Sequence, residues 1–286
     1  MRDIPTYSPT TLREAVEILS RERGGARVLA GGTDLIVQVL ERKRAPRALV
    51  NLCGIPGLAG ISEEGGTVRI GAMTTHREIE RSALLRDRAG LLCEAAFLVG
   101  SPQIRNLATI GGNVANGSPV ADTVPPLMAL GAVLILHGPG GERAVPMRAF
   151  CLAPGKTVMR ADEILTEIRF KGLPPDGAGF YERLGQRRLL SISKVGVAFL
   201  CRNDGGVMRG VTISLGAVAP TVIMAPRAAA FLEGKAYSED IAAEAGRIAE
   251  GESRAISDIR STREYRNRMA GALLVRGLAR LFHRTG

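Results

Sequence analysis

Apolar residues recur at helical spacing near the start of the chain, where Leu12, Ala15, Val16 and Leu19 fall on one face. Thr11 and Glu14 stand at capping-box spacing, so a helix is expected to begin near Thr10 and to end at Gly24-Gly25. Residues 26–30 form a short, largely apolar run that reads as a buried strand. The run enters Gly31-Gly32, and residues 34–42 return to helical patterning with Thr33 as N-cap candidate. A second apolar run at 49–52 completes a small strand–helix–strand unit. Its glycines lie at the C-terminal end of the first strand, where α/β folds tend to bind ligands.

The pattern continues with a strand at 67–71, placed after the turn Glu63-Glu64-Gly65-Gly66. Thr75 and Glu78 repeat the capping-box spacing at the head of another helix, and 91–98 reads as a largely buried one. Residues 124–130 suit a helix whose first turn holds Pro125 and Pro126, where a missing N–H costs little. Strands are expected at 132–136 and 164–170, with Gly138-Pro139-Gly140 as a hairpin turn. The Pro- and Gly-rich stretch 171–179 reads as a linker. It divides the chain into a domain at 1–175, with lobes at about 1–57 and 58–175, and a second domain at 176–286. Beyond it, 180–184, 195–201 and 207–218 pattern as antiparallel strands, the last two joined through Asn203-Asp204-Gly205-Gly206. Helical stretches follow from Ala228, Ile241 and Glu264, and no internal repeat is present.

Composition narrows the function classes. A chain of 286 residues with 45% hydrophobic content can bury a proper core, and no apolar run is long enough to cross a bilayer. The start, Met1-Arg2-Asp3-Ile4-Pro5, lacks the apolar core of a secretory signal, so a cytoplasmic location is expected. The formal charge of +10 raises nucleic-acid binding. The basic residues are spread along the chain and aromatics make up only 4%, which argues against it. The densest basic region, from Arg260 to Arg284, reads as a solvated helical face, and the charge leaves an acidic protein partner or an anionic cofactor open. Cys53, Cys93, Cys151 and Cys201 are scattered without a CxxC and read as buried thiols. His76, His137 and His283 are too dispersed for a metal site and read as surface or turn residues.

Candidate chemistry concentrates at two glycine pairs. Gly111-Gly112 sits in Thr109-Ile110-Gly111-Gly112-Asn113-Val114-Ala115-Asn116-Gly117-Ser118-Pro119-Val120-Ala121-Asp122, and Gly31-Gly32 in Val28-Leu29-Ala30-Gly31-Gly32-Thr33-Asp34-Leu35. Without a Cβ, glycines let several backbone N–H groups approach an anion, so two such loops could hold a diphosphate between them. Each pair also reads as a plain turn. Asn113, Asn116 and Asp122 suit sugar hydroxyls, while Asp122 also suits an N-cap for the helix near Val124. Gly155-Lys156-Thr157 mimics the end of a P-loop, but Phe150 stands where that motif needs glycine.

At these residues the chain resembles the FAD-binding medium subunit of the molybdenum hydroxylases, the carbon monoxide and xanthine dehydrogenase family. The resemblance is carried by Ala30-Gly31-Gly32-Thr33-Asp34-Leu35 and Thr109-Ile110-Gly111-Gly112-Asn113. It continues through Ser118-Pro119, Asp122-Thr123-Val124-Pro125-Pro126-Leu127, Asp162-Glu163-Ile164-Leu165 and Tyr181-Glu182-Arg183-Leu184, and reaches Ser257-Asp258-Ile259-Arg260 with Glu264-Tyr265-Arg266. It implies an α+β protein: a two-lobed FAD-binding domain of the vanillyl-alcohol-oxidase type with α/β lobes, then a C-terminal domain of antiparallel sheet and helices. It implies non-covalent FAD, held by Val28, Leu29, Ala30, Gly31, Gly32, Thr33, Asp34 and Leu35, and by Thr109, Ile110, Gly111, Gly112 and Asn113. Val99, Ser118, Asp122 and Leu165 are implied as further contacts, with Arg183 near the pyrimidine side of the flavin and Ile192 near its ring. Two departures stand out: Arg183 replaces the lysine of a Tyr-x-Lys pattern, and Leu189-Leu190-Ser191-Ile192-Ser193 lacks the acid many relatives carry. The expected partners are a large molybdenum-cofactor subunit and a small two-iron two-sulfur subunit, with NAD⁺, a quinone or oxygen as acceptor. A stand-alone flavin reductase or oxidase of the same fold and a FAD-less assembly module are the alternatives.

Overall fold

The computed structural model describes residues 4–187 and 191–283; the expectations that fall on Met1, Arg2, Asp3, Leu189, Leu190 and Arg284 lie outside them. The first lobe is a three-stranded parallel sheet in the order Thr6–Tyr7, Ala48–Asn51, Ala26–Leu29. Helix Leu12–Arg21 buries Ala15, Val16, Ile18 and Leu19. Thr11 caps it by accepting from the Glu14 amide at 3.2 Å, while the Glu14 carboxylate accepts from the Thr10 amide. The helix after the first glycine pair, Leu35–Leu40, is shorter than the pattern suggested. Its N-cap position is Asp34 rather than Thr33, with no side-chain cap bond, and Arg42 at φ 58° prevents its continuation.

The second lobe is built on a five-stranded antiparallel sheet, in the order Ile61–Glu64, Thr67–Gly71, Ile164–Lys171, Val133–Gly138, Gly141–Pro146. The two outer strands are largely solvent-exposed, as expected of sheet edges, and their pattern does not announce them. The capping box at Thr75 and Glu78 forms as expected and opens helix His76–Arg81. Helix Ala83–Leu98 begins eight residues before the expected 91, with non-helical backbone at Ala89, which merged two amphipathic patterns into one unclear signal. Helix Pro102–Leu107 was not expected, and the second glycine pair forms a helix, Ile110–Ala115, rather than a loop. Helix Val124–Ala129 starts with its prolines in the first turn. Leu91, Leu92, Ile110, Leu127 and Leu134 fill the core beneath.

The C-terminal sheet runs Gly177–Leu184, Val195–Asp204, Val207–Gly216, Ile223–Met224, antiparallel throughout. The expected linker is therefore shorter, since Gly177, Ala178 and Gly179 already belong to a strand. Helices Pro226–Leu232, Glu239–Glu252 and Arg263–Phe282 cover one face, where Phe180 and Phe199 stack at 5.2 Å. The other face turns Tyr181, Ala198 and Leu200 into the core of the second lobe. Burial on both faces explains the unbroken apolar run at 195–201.

Of the four thiols only Cys201 is buried; Cys53 is exposed, and Cys93 and Cys151 are half-buried. His76 is fully buried rather than a surface residue, because the capping box fixes its helix start against Ala108. His137 is half-buried on a strand and His283 is exposed. Among the described residues no helix is long and apolar enough to cross a membrane, and no group of His, Cys, Asp and Glu is placed to hold a metal.

Candidate functional site

The strand end Ala26–Leu29 delivers the first glycine pair to the second lobe. A Cβ on Gly31 would collide with the Leu107 carbonyl, so the two backbones touch directly. On the far side, residues 72–76 run along 108–111. His76 N–H donates to Ala108 O at 3.0 Å, Ile110 N–H to Thr74 O at 3.0 Å, and Gly111 N–H to Ala72 O at 2.8 Å. Both glycine pairs therefore border one cleft of about 830 Å³. Ligand clefts span about 300–1,000 Å³, so this one is large enough for a dinucleotide-sized molecule.

Most of the expected site residues meet there. Val28, Ala30, Gly31, Gly32, Thr33, Asp34 and Leu35 border the cleft from the first lobe, and Val99, Thr109, Gly111, Gly112, Asn113, Ser118, Asp122 and Leu165 from the second. Ile192 borders it from the segment that precedes strand Val195–Asp204. Leu29, Ile110 and Arg183 do not. Leu29 is half-buried at the strand end, and Ile110 is buried in the core. Arg183 lies behind the wall, its side chain 3% exposed, and donates to Leu98 O, Asp122 Oδ2 and Ser191 O.

The two pairs differ in where their amides go. The N–H groups of Gly31, Gly32, Thr33 and Asp34 find no intramolecular acceptor among the described residues. Those of Ile110, Gly111, Gly112 and Asn113 all do: Thr74 O, Ala72 O, Thr109 Oγ1 and Thr109 O. Buried backbone N–H groups are nearly always paired, but Gly31, Gly32 and Thr33 are half-buried and Asp34 is exposed, so these amides are open to solvent at the cleft and available to a bound acceptor as a donor cradle. The second pair, expected to offer a similar cradle, is closed.

Side chains near the second pair are also engaged. Asn113 Oδ1 accepts from the Thr123 hydroxyl at 2.7 Å. Asp122 does not cap the following helix, whose N-cap is Thr123 without a side-chain bond. Instead its Oδ1 accepts from the hydroxyls of Tyr181 at 2.8 Å and Ser193 at 2.5 Å, and its Oδ2 from Arg183 at 3.1 Å. Burial pushes the Asp122 carboxyl up, opposed by the Arg183 charge and the two hydroxyls. Burial, with the Asp122 charge next to it, holds the Tyr181 phenol well above its ordinary value. Asp122 thus ties three C-terminal-domain residues to the cleft wall.

Several cleft residues escaped the sequence reading. Arg27, Arg44, Lys156 and Arg160 border it, all exposed, along with buried His76. Lys156 belongs to the rejected Gly155-Lys156-Thr157 triplet, which lies on a hairpin between strands Cys151–Ala153 and Lys156–Thr157. No local pattern could have found these residues, because tertiary folding alone brings them to the rim. The four rim cations outnumber the bordering acids Asp34 and Asp122, and Asp122 is already paired with Arg183. Such a field favours an anionic ligand.

The chain matches known families over nearly its whole length. Residues 2–170 match the family described as the FAD binding domain in molybdopterin dehydrogenase, and residues 181–281 match the CO dehydrogenase flavoprotein C-terminal domain. The chain is 34% identical to the carbon monoxide dehydrogenase medium chain of Hydrogenophaga pseudoflava, over 95% of this chain and 94% of that one. It is 35% identical to a putative xanthine dehydrogenase FAD-binding subunit of Escherichia coli, covering 78% and 77% of the two chains. A solved structure of reconstituted CO dehydrogenase from Oligotropha carboxidovorans superposes with a TM-score of 0.95 at 35% identity, over 99% of this chain and 98% of that one.

Proposed function

The chain belongs to the family of FAD-binding subunits of the molybdenum hydroxylases, and on that premise we propose that it is the electron-transferring flavoprotein of a heteromeric dehydrogenase. Its partners in this reading are a large subunit with the molybdenum cofactor and a small subunit with two-iron two-sulfur clusters. Electrons arrive from the small subunit and leave to NAD⁺, a quinone or oxygen. The redox chemistry is that of the non-covalently bound flavin; the chain supplies binding, orientation and electrostatics.

The observation that carries the reading is the row of open amides at Gly31, Gly32, Thr33 and Asp34. They suit the diphosphate of FAD, whose oxygens are acceptors only, and the rim cations Arg27, Arg44, Lys156 and Arg160 offset its charge. Thr109, Gly111, Gly112 and Asn113 wall the opposite side. Ser118 and Leu165 take the sugar and ring ends, and Val99 and Ile192 supply apolar contact. Asp122 and Arg183 act from behind, fixing residues 191–193 by the hydrogen bonds described above. We divide the chain at 1–175 and 176–286; the support is that the two family matches end at 170 and resume at 181.

The test is a spectrum and a titration. The purified protein, with any subunits that accompany it, is expected to be yellow or to take up FAD stoichiometrically. A colourless protein that binds no added FAD sinks the proposal. Co-purification with molybdenum and iron supports the heteromeric form, whereas NADH-dependent dye reduction by the lone chain supports a stand-alone reductase.

A further inference from the structure

Helix Leu35–Leu40 is apolar at five of its six positions, yet none of the six is buried. A helix that is apolar all round normally lies inside a fold or against a second surface. Leu35 and Gln38 border the cleft, so a cofactor bound there covers that side. Ile36, Val37 and Leu40 do not border it and are 37%, 48% and 61% exposed. Ile36 and Leu40 stand at i, i+4 with Val37 beside them, which makes one outward stripe. Leu107, 60% exposed, stands on the backbone that abuts Gly31, and Ile36 packs against Gly32. An apolar patch thus flanks the first glycine pair on the side the ligand does not reach.

The edge of the patch is basic. The helix runs directly into residues 41–47, which carry Arg42, Lys43, Arg44 and Arg47 against one acid, Glu41. All five are exposed, and Glu41 is paired with Lys43 at 2.6 Å. An exposed apolar patch rimmed by polar groups marks an interaction surface. The sign of the rim decides what fits it. A second copy of this chain, meeting the patch about a two-fold axis, would set these cations against themselves, in a chain whose formal charge is already +10. A different, acidic protein surface meets no such repulsion.

Resting on the heteromeric reading above, we propose that Ile36, Val37, Leu40 and Leu107 form the surface on which a companion subunit of the complex docks, through an apolar patch edged by carboxylates that meet Arg42 and Lys43. Burial of the apolar stripe supplies the affinity, and the charged rim sets orientation and approach rate. Cofactor on one side of the helix and companion subunit on the other account for an apolar helix that this chain alone does not bury.

The test uses the complex as purified with its accompanying subunits. A photo-crosslinking benzophenone side chain placed at Leu40 is expected to join this chain to one companion subunit, with aspartates or glutamates beside the attachment point in the mass spectrum of the adduct. The double variant Val37→Glu, Leu40→Glu is expected to weaken the complex roughly thirtyfold or more, the range for losing a central interface contact. Lys43→Glu, an exposed change that leaves the fold alone, is expected to weaken it several-fold, mainly in association rate, and the effect fades as salt rises. Wild-type affinity in both variants overturns the proposal while leaving the heteromeric reading intact. So does a cross-link to a second copy of this chain. Binding of the wild-type complex to phosphatidylserine vesicles that the double variant loses, with no cross-link to a companion, overturns it too and makes the patch a membrane contact. If the double variant fails to fold, the cross-link and Lys43→Glu decide. A wild-type chain that purifies with no companion subunit defeats both readings.

Discussion

The two glycine pairs look alike in sequence and do opposite things. Gly31-Gly32 ends a parallel strand and leaves four successive amides open; Gly111-Gly112 opens a helix whose first four amides are all taken. The cause is what runs alongside. Ala72 O accepts from Gly111 and Thr74 O from Ile110, and the Thr109 hydroxyl takes the Gly112 amide, whereas past Leu29 no group among the described residues accepts from the first pair's amides. The acids that follow differ in the same sense. Asp34 is exposed and accepts from Gln38 at 2.6 Å; Asp122 is buried beneath three donors from the other domain. One pair thus presents donors, and the other forms a wall already bonded into the fold. A glycine pair marks where backbones come close, and the surrounding hydrogen bonds decide whether a ligand can use it.

The largest expected effect tests the acids. Asp122→Ala leaves the Arg183 charge buried beside Leu98 O and Ser191 O without its carboxylate, which is expected to destabilise by about 3–5 kcal/mol. Asp34→Ala removes an exposed side chain and is expected to stay within about 0.5 kcal/mol. Urea unfolding of both variants measures the difference. Equal costs would mean that the cross-domain cluster carries no stability, and the contrast between the two regions would reduce to backbone alone.

The physics of legibility follows the same line. Elements set by local pattern were readable: Thr75–Glu78 capping, the prolines opening helix Val124–Ala129, and the Asn203-Asp204-Gly205-Gly206 hairpin. The edge strands Ile61–Glu64 and Gly141–Pro146 were not, because each lacks a sustained apolar alternation of its own and is fixed by pairing with its neighbour. At the site, most of the motif residues line one cleft, while Leu29 and Ile110 do not. The rim cations, buried His76 and the role of Asp122 depend on residues tens of positions away, such as Tyr181 and Ser193. No short window contains both halves of those contacts.

A smaller effect is expected at Gly31. A methyl there meets the Leu107 carbonyl, a backbone atom that cannot swing aside, so Gly31→Ala separates the two lobes at the cradle. The expected cost is about 1–3 kcal/mol, the range for overpacking, accompanied by loss of FAD. Thermal unfolding and an FAD titration read both. Unchanged cofactor binding in a destabilised protein would show that the open amides are not where the diphosphate sits, and the assignment of duties to the two pairs would reverse.

The smallest stability effect falls on Gly112, and it separates wall from cradle most cleanly. The residue is exposed in a regular helix, and the nearest atom to an added Cβ is Thr109 Oγ1 at 3.0 Å. Replacing a helical glycine with alanine gains at most about 0.5–1 kcal/mol, and Gly112 stands in the first turn of its helix. Disturbing the Thr109 cap, which accepts from the Gly112 amide at 3.1 Å, costs about 1 kcal/mol. The two nearly cancel, so Gly112→Ala is expected to melt within a few degrees of wild type. Its methyl narrows the cleft from the wall side, and FAD affinity is expected to fall several-fold with ADP affinity falling in parallel. A variant that keeps full affinity for both would place the cofactor against the first pair alone. The second pair would then be a helix start that happens to face the cleft, and its glycine at 112 would have no bearing on the ligand.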